Sequence, residues 1–180
     1  MAKPRILFLT AYVPNKAAAG EKNTMIMLND LAQDYDVDLV YFKYDHEKPY
    51  VPERDNVKVL EVIRNSTKTK LFGIANFPLS HPVFSIRFSW AKLRRLRRLT
   101  NGKDYSAVVL NHSNVFVYGR YLCPGKPKLL LAHDVIIQRA LRQSGRLMQA
   151  VCRYSEGRAF RMPDARVYSF SQKDVDLIKD

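Results

Sequence analysis

The stretch "ILFLTAYVPNKAAAGEKNTMIMLNDLA", residues 6–32, decides the fold. It opens on an unbroken apolar run from Ile6 to Leu9, closed by Thr10. Such a run reads as a strand buried on both faces. A polar stretch with a single glycine, Gly20, follows. Over residues 24–34, Met25, Leu28, Leu31 and Ala32 then recur on one helical face. Strand, polar loop and helix form the opening unit of an α/β protein. Such folds hold ligands at the carboxyl ends of their strands.

The same alternation runs through the rest of the chain. Residues 37–42, 57–63, 105–111, 128–132 and 165–170 read as strands. Residues 137–162 read as one long helix, with Ser144-Gly145 the place where it would break. A last helix starts at Ser171 or Gln172, with Ser171 as its N-cap. The segment "LFGIANFPLSHPVF", residues 71–84, reads as a loop. Apolar strands separated by helical segments predict an α/β fold with a doubly wound parallel sheet. At 180 residues, one domain spanning 1–180 is expected. There is no internal repeat and no low-complexity tract.

The formal net charge is +13. An excess of that size points to an anionic partner: nucleic acid, a membrane surface or a phosphorylated substrate. The two cysteines, Cys123 and Cys152, have neither metal-ligand spacing nor a disulfide framework, which fits a reducing cytoplasm. No metal set is present in the sequence. The run Ile6 to Leu9 is too short for a signal sequence or a membrane span.

In a doubly wound sheet, three polar segments fall at the carboxyl edge: residues 10–24, 111–114 and 133–134. The first lacks both glycine-rich nucleotide fingerprints. It does place Gly20 just before the helix, where free N–H groups can hold an anion, and Lys16 and Lys22 add positive charge. The second, "NHSN", brings His112, a group that titrates near neutral pH. The third, His133-Asp134, ends the apolar strand "LLLA". For each there is a structural alternative: a surface loop with a turn glycine, a core histidine, a chance dipeptide.

"FSIRFSWAKLRRLRRLT", residues 84–100, is a basic amphipathic helix. Ile86, Trp90, Leu93, Leu96 and Leu99 share one half of its circumference, and Arg87, Arg94, Arg95 and Arg98 the other. A tryptophan beside Lys92, Arg94, Arg95, Arg97 and Arg98 suits the headgroup region of an anionic bilayer. The commoner fate of such a helix is to pack on the sheet with its arginines solvated. Nucleic acid is not an expected partner, because no helix-turn-helix, ribonucleoprotein or zinc-finger pattern is present. Arg139, Arg142, Arg146, Arg153, Arg158 and Arg161 share the long helix with an apolar face of Leu147, Met148, Val151 and Cys152.

Taken in order, "RILFLTAYVPNKAAAGEKNTMIMLNDLAQDYDVDLVYF", the "HD" of "LLLAHDV" and "SEGRAFRMPDARVYSFSQKDVDLI" resemble the amino-terminal half of a family 4 glycosyltransferase of GT-B fold. The similarity is narrower to bacterial sugar transferases of exopolysaccharide systems. The resemblance implies a Rossmann-like, acceptor-side domain. It implies a nucleotide-sugar as donor substrate, no separate cofactor, and a lipid-linked or polysaccharide acceptor at the cytoplasmic face of the membrane. It carries substrate contact to Gly20, Glu21, Lys22 and Asn23, and places His133, with Asp134 beside it, near the transferred sugar. His112 and Asn114 join the expected substrate-binding set as residues of the second strand-end segment. Members bind the nucleotide-sugar mainly with a second, carboxy-terminal half, expected here in cis or in trans. These residues alone are therefore not expected to transfer sugar efficiently. Two other functions fit the residues. One is a non-catalytic half that binds a membrane or a partner subunit; the other is a nucleic-acid binder driven by charge.

Overall fold

The computed structural model describes residues 3–179 apart from Asn76, Pro78, Asp134 and Phe170. Six strands form one sheet: β1 (Arg5–Thr10), β2 (Asp36–Lys43), β3 (Val57–Arg64), β4 (Ala107–Asn111), β5 (Lys128–Ala132) and β6 (Ala165–Ser169). All pairings are parallel, in the order β3-β2-β1-β4-β5-β6. The chain is an α/β protein with a Rossmann-like, doubly wound sheet.

Both sheet faces are covered, so the strands need apolar residues at consecutive positions. In β1, Leu7 and Leu9 join one core while Ile6 and Phe8 join the other. α1 (Ala19–Asp34) covers the second face with Leu28 and Ala32. The first face is covered by α3 (Pro82–Ser85), α4 (Trp90–Thr100), α5 (Phe116–Gly119) and α7 (Arg146–Phe160), while α2 (Thr67–Ala75) contacts α3, and α6 (Ile136–Gln143) packs on α7. Leu93 and Leu96 of α4 are buried there. α8 (Gln172–Lys179) closes the described chain. Burying apolar area at about 25 cal/mol per Å² makes these two cores the main stabilising term.

Four expectations are corrected. α1 begins at Ala19, so Gly20 lies inside its first turn and not before it. The helix gains a turn because Ala19 and Glu21 are good helix formers even where no apolar face has started. Residues 71–84 are not a plain loop but contain the end of α2 and the short α3. The Ser85 hydroxyl donates to Gly73 O at 2.8 Å, and Gly73 allows that approach because a Cβ there would collide with the Ile86 backbone. The basic helix starts at Trp90, capped by Ser89, whose Oγ accepts the Lys92 N–H at 3.2 Å. Ile86 and Arg87 therefore precede it. The long helix of residues 137–162 is two helices, parted at Ser144-Gly145 as the sequence allowed, but Leu147, assigned to the apolar face, is exposed. Ser171 does cap α8: its Oγ accepts the Asp174 N–H at 3.1 Å.

Candidate functional site

The strand order reverses direction between β1 and β4, and at their carboxyl ends a polar cluster is buried. Thr10, Thr24 and Asn111 are fully enclosed, and His112 is 9% exposed. Asn111 closes β4, Thr10 closes β1, and Thr24 lies on α1 one turn after Gly20.

The hydrogen bonds fix one another. The Thr24 hydroxyl donates to Gly20 O at 2.8 Å, which spends its only proton. Thr24 Oγ1 must then accept from Asn111 Nδ2 at 2.9 Å and from His112 Nε2 at 3.3 Å. Asn111 Nδ2 gives its second hydrogen to Thr10 Oγ1 at 3.2 Å. That turns Asn111 Oδ1 towards His133, whose Nε2 donates to it at 2.6 Å. Both imidazoles therefore carry a proton on Nε2.

The two rings are stacked, with centroids 3.9 Å apart and planes within 18°. Tyr12 meets the His112 ring edge-on at 4.7 Å. Over Tyr12 lies the Arg87 guanidinium, 4.7 Å from the ring centroid, which also donates to Ala11 O. Burial, first, and then the charges of His133 and Arg87 push the His112 pKa down to about 3. His112 is thus a neutral imidazole at pH 7, a fixed donor and no strong base. Its backbone has φ 76° and ψ 141°. A side chain held there costs about 1–3 kcal/mol, and such residues concentrate at functional sites.

Of the sequence-predicted residues, Gly20, His112 and His133 come together. Gly20 contributes its carbonyl, and a Cβ there would meet only His112 Cε1, at 3.6 Å. Glu21 is half-buried on the first turn of α1, and Lys22 and Asn23 are exposed beside it. Asn114 is not in the cluster: its Nδ2 donates to Val83 O at 3.0 Å and ties the segment after β4 to α3. Asp134 lies outside the described residues. Among the described residues, no group of three or more His, Cys, Asp or Glu is arranged to hold a metal ion.

On α4, Arg94, Arg97 and Arg98 are exposed, Trp90 is 52% exposed, and Arg95 reaches Glu61 at 2.6 Å. Lys92 differs: its Nζ is enclosed near Phe42, 5.3 Å from the ring centroid. Arg87, placed on the solvent face by the helical wheel, is 6% exposed and faces the site. Among the described residues, no helix is long and apolar enough to cross a membrane.

Sequence reasoning placed segments 10–24 and 111–114 at this edge but singled out none of Thr10, Tyr12, Thr24 and Asn111, and it put Arg87 on the solvent face. Single threonines and an asparagine carry no pattern, and only the parallel register, Thr10 opposite Asn111, brings them together. No model of a known protein family and no curated protein sequence matches this chain.

Proposed function

We propose that this chain is the acceptor-side domain of a glycosyltransferase of GT-B type. It would move a sugar from a nucleotide-sugar to a lipid-linked or polysaccharide acceptor, with a second half supplying most of the donor contacts. One observation carries the reading: the stacked His112–His133 pair, oriented through Asn111 and Thr24 at the carboxyl ends of β1, β4 and β5. Open α/β sheets bind ligands at that crevice. The ordered resemblance of the opening unit, the strand ending in His133 and the Glu156 helix adds the reaction class.

In this reading His133 sits beside the transferred sugar and makes polar contact with it. His112 is the uncharged wall that keeps His133 in place, and Arg87 supplies positive charge next to Tyr12. The outer face of α4, with Trp90, Arg94, Arg97 and Arg98, rests on the anionic inner face of the membrane, where a lipid-linked acceptor would be found. Trp90, half exposed beside Phe88 and Tyr121, favours this surface over a nucleic-acid groove.

The test uses the natural product from its source cell, with radiolabelled nucleotide-sugars as donors and its own membranes as acceptor. Label should pass to a lipid or glycan fraction. His133→Ala should lower that rate at least 100-fold with the circular dichroism spectrum unchanged. A natural product that transfers none of the nucleotide-sugars offered, or an unaffected His133→Ala variant, sinks the proposal.

A further inference from the structure

A second polar site lies on the other side of β1, where β3 ends against the start of α4. A cleft of about 400 Å³ opens there, lined by Glu61, Arg64, Lys92 and Arg95 among others. Arg95 is balanced by Glu61 at 2.6 Å. Arg64 and Lys92 have no carboxylate within ion-pair distance among the described residues. The lining thus carries two uncompensated positive charges.

Lys92 is the unusual member. Its Nζ is enclosed and has no hydrogen-bond partner among the described residues. A buried ammonium without a hydrogen-bond partner is costly, because the Phe42 ring face replaces only part of the water it has lost. Three features make the local field worse. Arg87 is a second buried cation, with Cζ 6.0 Å from the centroid of the same Phe42 ring. The first turn of α4, the positive end of that helix, contains Lys92 and no acidic residue. The balanced Glu61–Arg95 pair cancels nothing for Lys92. Burial, and then the charge of Arg87, accordingly hold the Lys92 pKa below the ordinary lysine value.

We infer that this cleft binds a phosphate group, held by Lys92, Arg64 and Arg95 above the first turn of α4. The lysine stem is long and freely rotatable, so a short swing carries Nζ from the Phe42 ring into the cleft. A phosphate monoester carries about −1.5 to −2 near pH 7, which matches the two uncompensated charges. Arginine offers forked N–H pairs to its oxygens, and lysine a point charge. The Glu61 carboxylate repels an anion, but its pairing with Arg95 absorbs that charge. The phosphate source is either a lipid headgroup or a soluble ester. The site is separate from the His112–His133 cluster and does not depend on sugar transfer.

Thermal melting of the chain, with inorganic phosphate added at constant ionic strength, tests the site. At a hundredfold excess over Kd the melting temperature should rise by about 5–10 °C. Lys92→Met should melt no lower than wild type without phosphate, because it removes a buried unpartnered charge, and should lose the phosphate shift. Arg64→Gln, at an exposed position, should keep the base melting temperature and weaken the shift. Flotation then separates the sources. Vesicles of phosphatidylcholine with phosphatidic acid are compared with vesicles carrying equal phosphatidylserine. Lys92-dependent preference for phosphatidic acid assigns a lipid headgroup, and a melting shift without flotation assigns a soluble ester; either supports the site. The inference is overturned by a shift no larger than matched chloride gives, or by Lys92→Met and Arg64→Gln both retaining it.

Discussion

Thr24 is the residue on which the buried cluster turns. Its hydroxyl oxygen accepts from Asn111 Nδ2 and His112 Nε2 while its proton goes to Gly20 O, so all its hydrogen-bonding capacity is used. Thr24→Val keeps the shape and removes every one of those bonds. Two buried donors are then orphaned, at about 1–3 kcal/mol each. Thr24→Ser keeps the hydroxyl and loses only a methyl group, so it should cost clearly less. Urea unfolding of the two variants reads the difference, and equal midpoints would show that the network contributes nothing. None of this was visible in the sequence. His112 and His133 stood out because histidine at a strand end is chemically conspicuous. The threonines that orient them look like ordinary polar residues until the fold closes.

Elements were far more legible than sites. Strands buried on both faces must be apolar at successive positions, so β1, β2 and β5 announce themselves within one or two residues. Helix starts depend on capping, which tertiary partners can supply from afar, and α6 is such a case. Its N-cap residue, Val135, offers no side-chain acceptor. The cap comes instead from Glu156 on α7, which accepts the N–H groups of Ile136 at 2.7 Å and Ile137 at 3.0 Å. Burial, opposed by those two N–H bonds, leaves the Glu156 pKa above the ordinary carboxylate value. Glu156→Ala should cost about 1–2 kcal/mol through the lost cap, with faster hydrogen exchange confined to the Ile136 and Ile137 amides. Glu156→Gln retains one acceptor oxygen but turns its NH2 towards the other N–H, so it should recover only part of that loss. Exchange that rises evenly along both helices would mean that Glu156 only fills space.

Across the whole molecule, three groups at least partly buried make stability fall in acid, in two windows: the imidazoles of His112 and His81, and the Asp38 carboxyl. Unfolded, His112 titrates near 6.5; folded, burial and then the charges of His133 and Arg87 hold it near 3. Between those values the unfolded chain binds a proton that the folded chain refuses. Stability therefore drops as pH falls from about 6.5 towards 3, by about 1.4 kcal/mol per unit at most. Asp38, on β2, acts lower. Burial raises its pKa, but hydrogen bonds from Lys103 at 2.6 Å and Tyr105 at 2.7 Å outweigh that and leave it depressed. Its stabilisation is complete above the unfolded carboxylate value and is lost as pH falls through the folded one. His112→Asn, a residue that tolerates positive φ, should shrink the upper slope to the share of His81, whose pKa burial also lowers, and leave the lower one. Asp38→Asn should melt lower at pH 7 and flatten the profile below about pH 4. Stability measured by urea unfolding every half unit resolves the two windows. A wild-type profile that is flat from pH 6.5 to 4.5 would mean that His112 takes up its proton without leaving the stack, and the neutral imidazole assigned to the site would have to be abandoned.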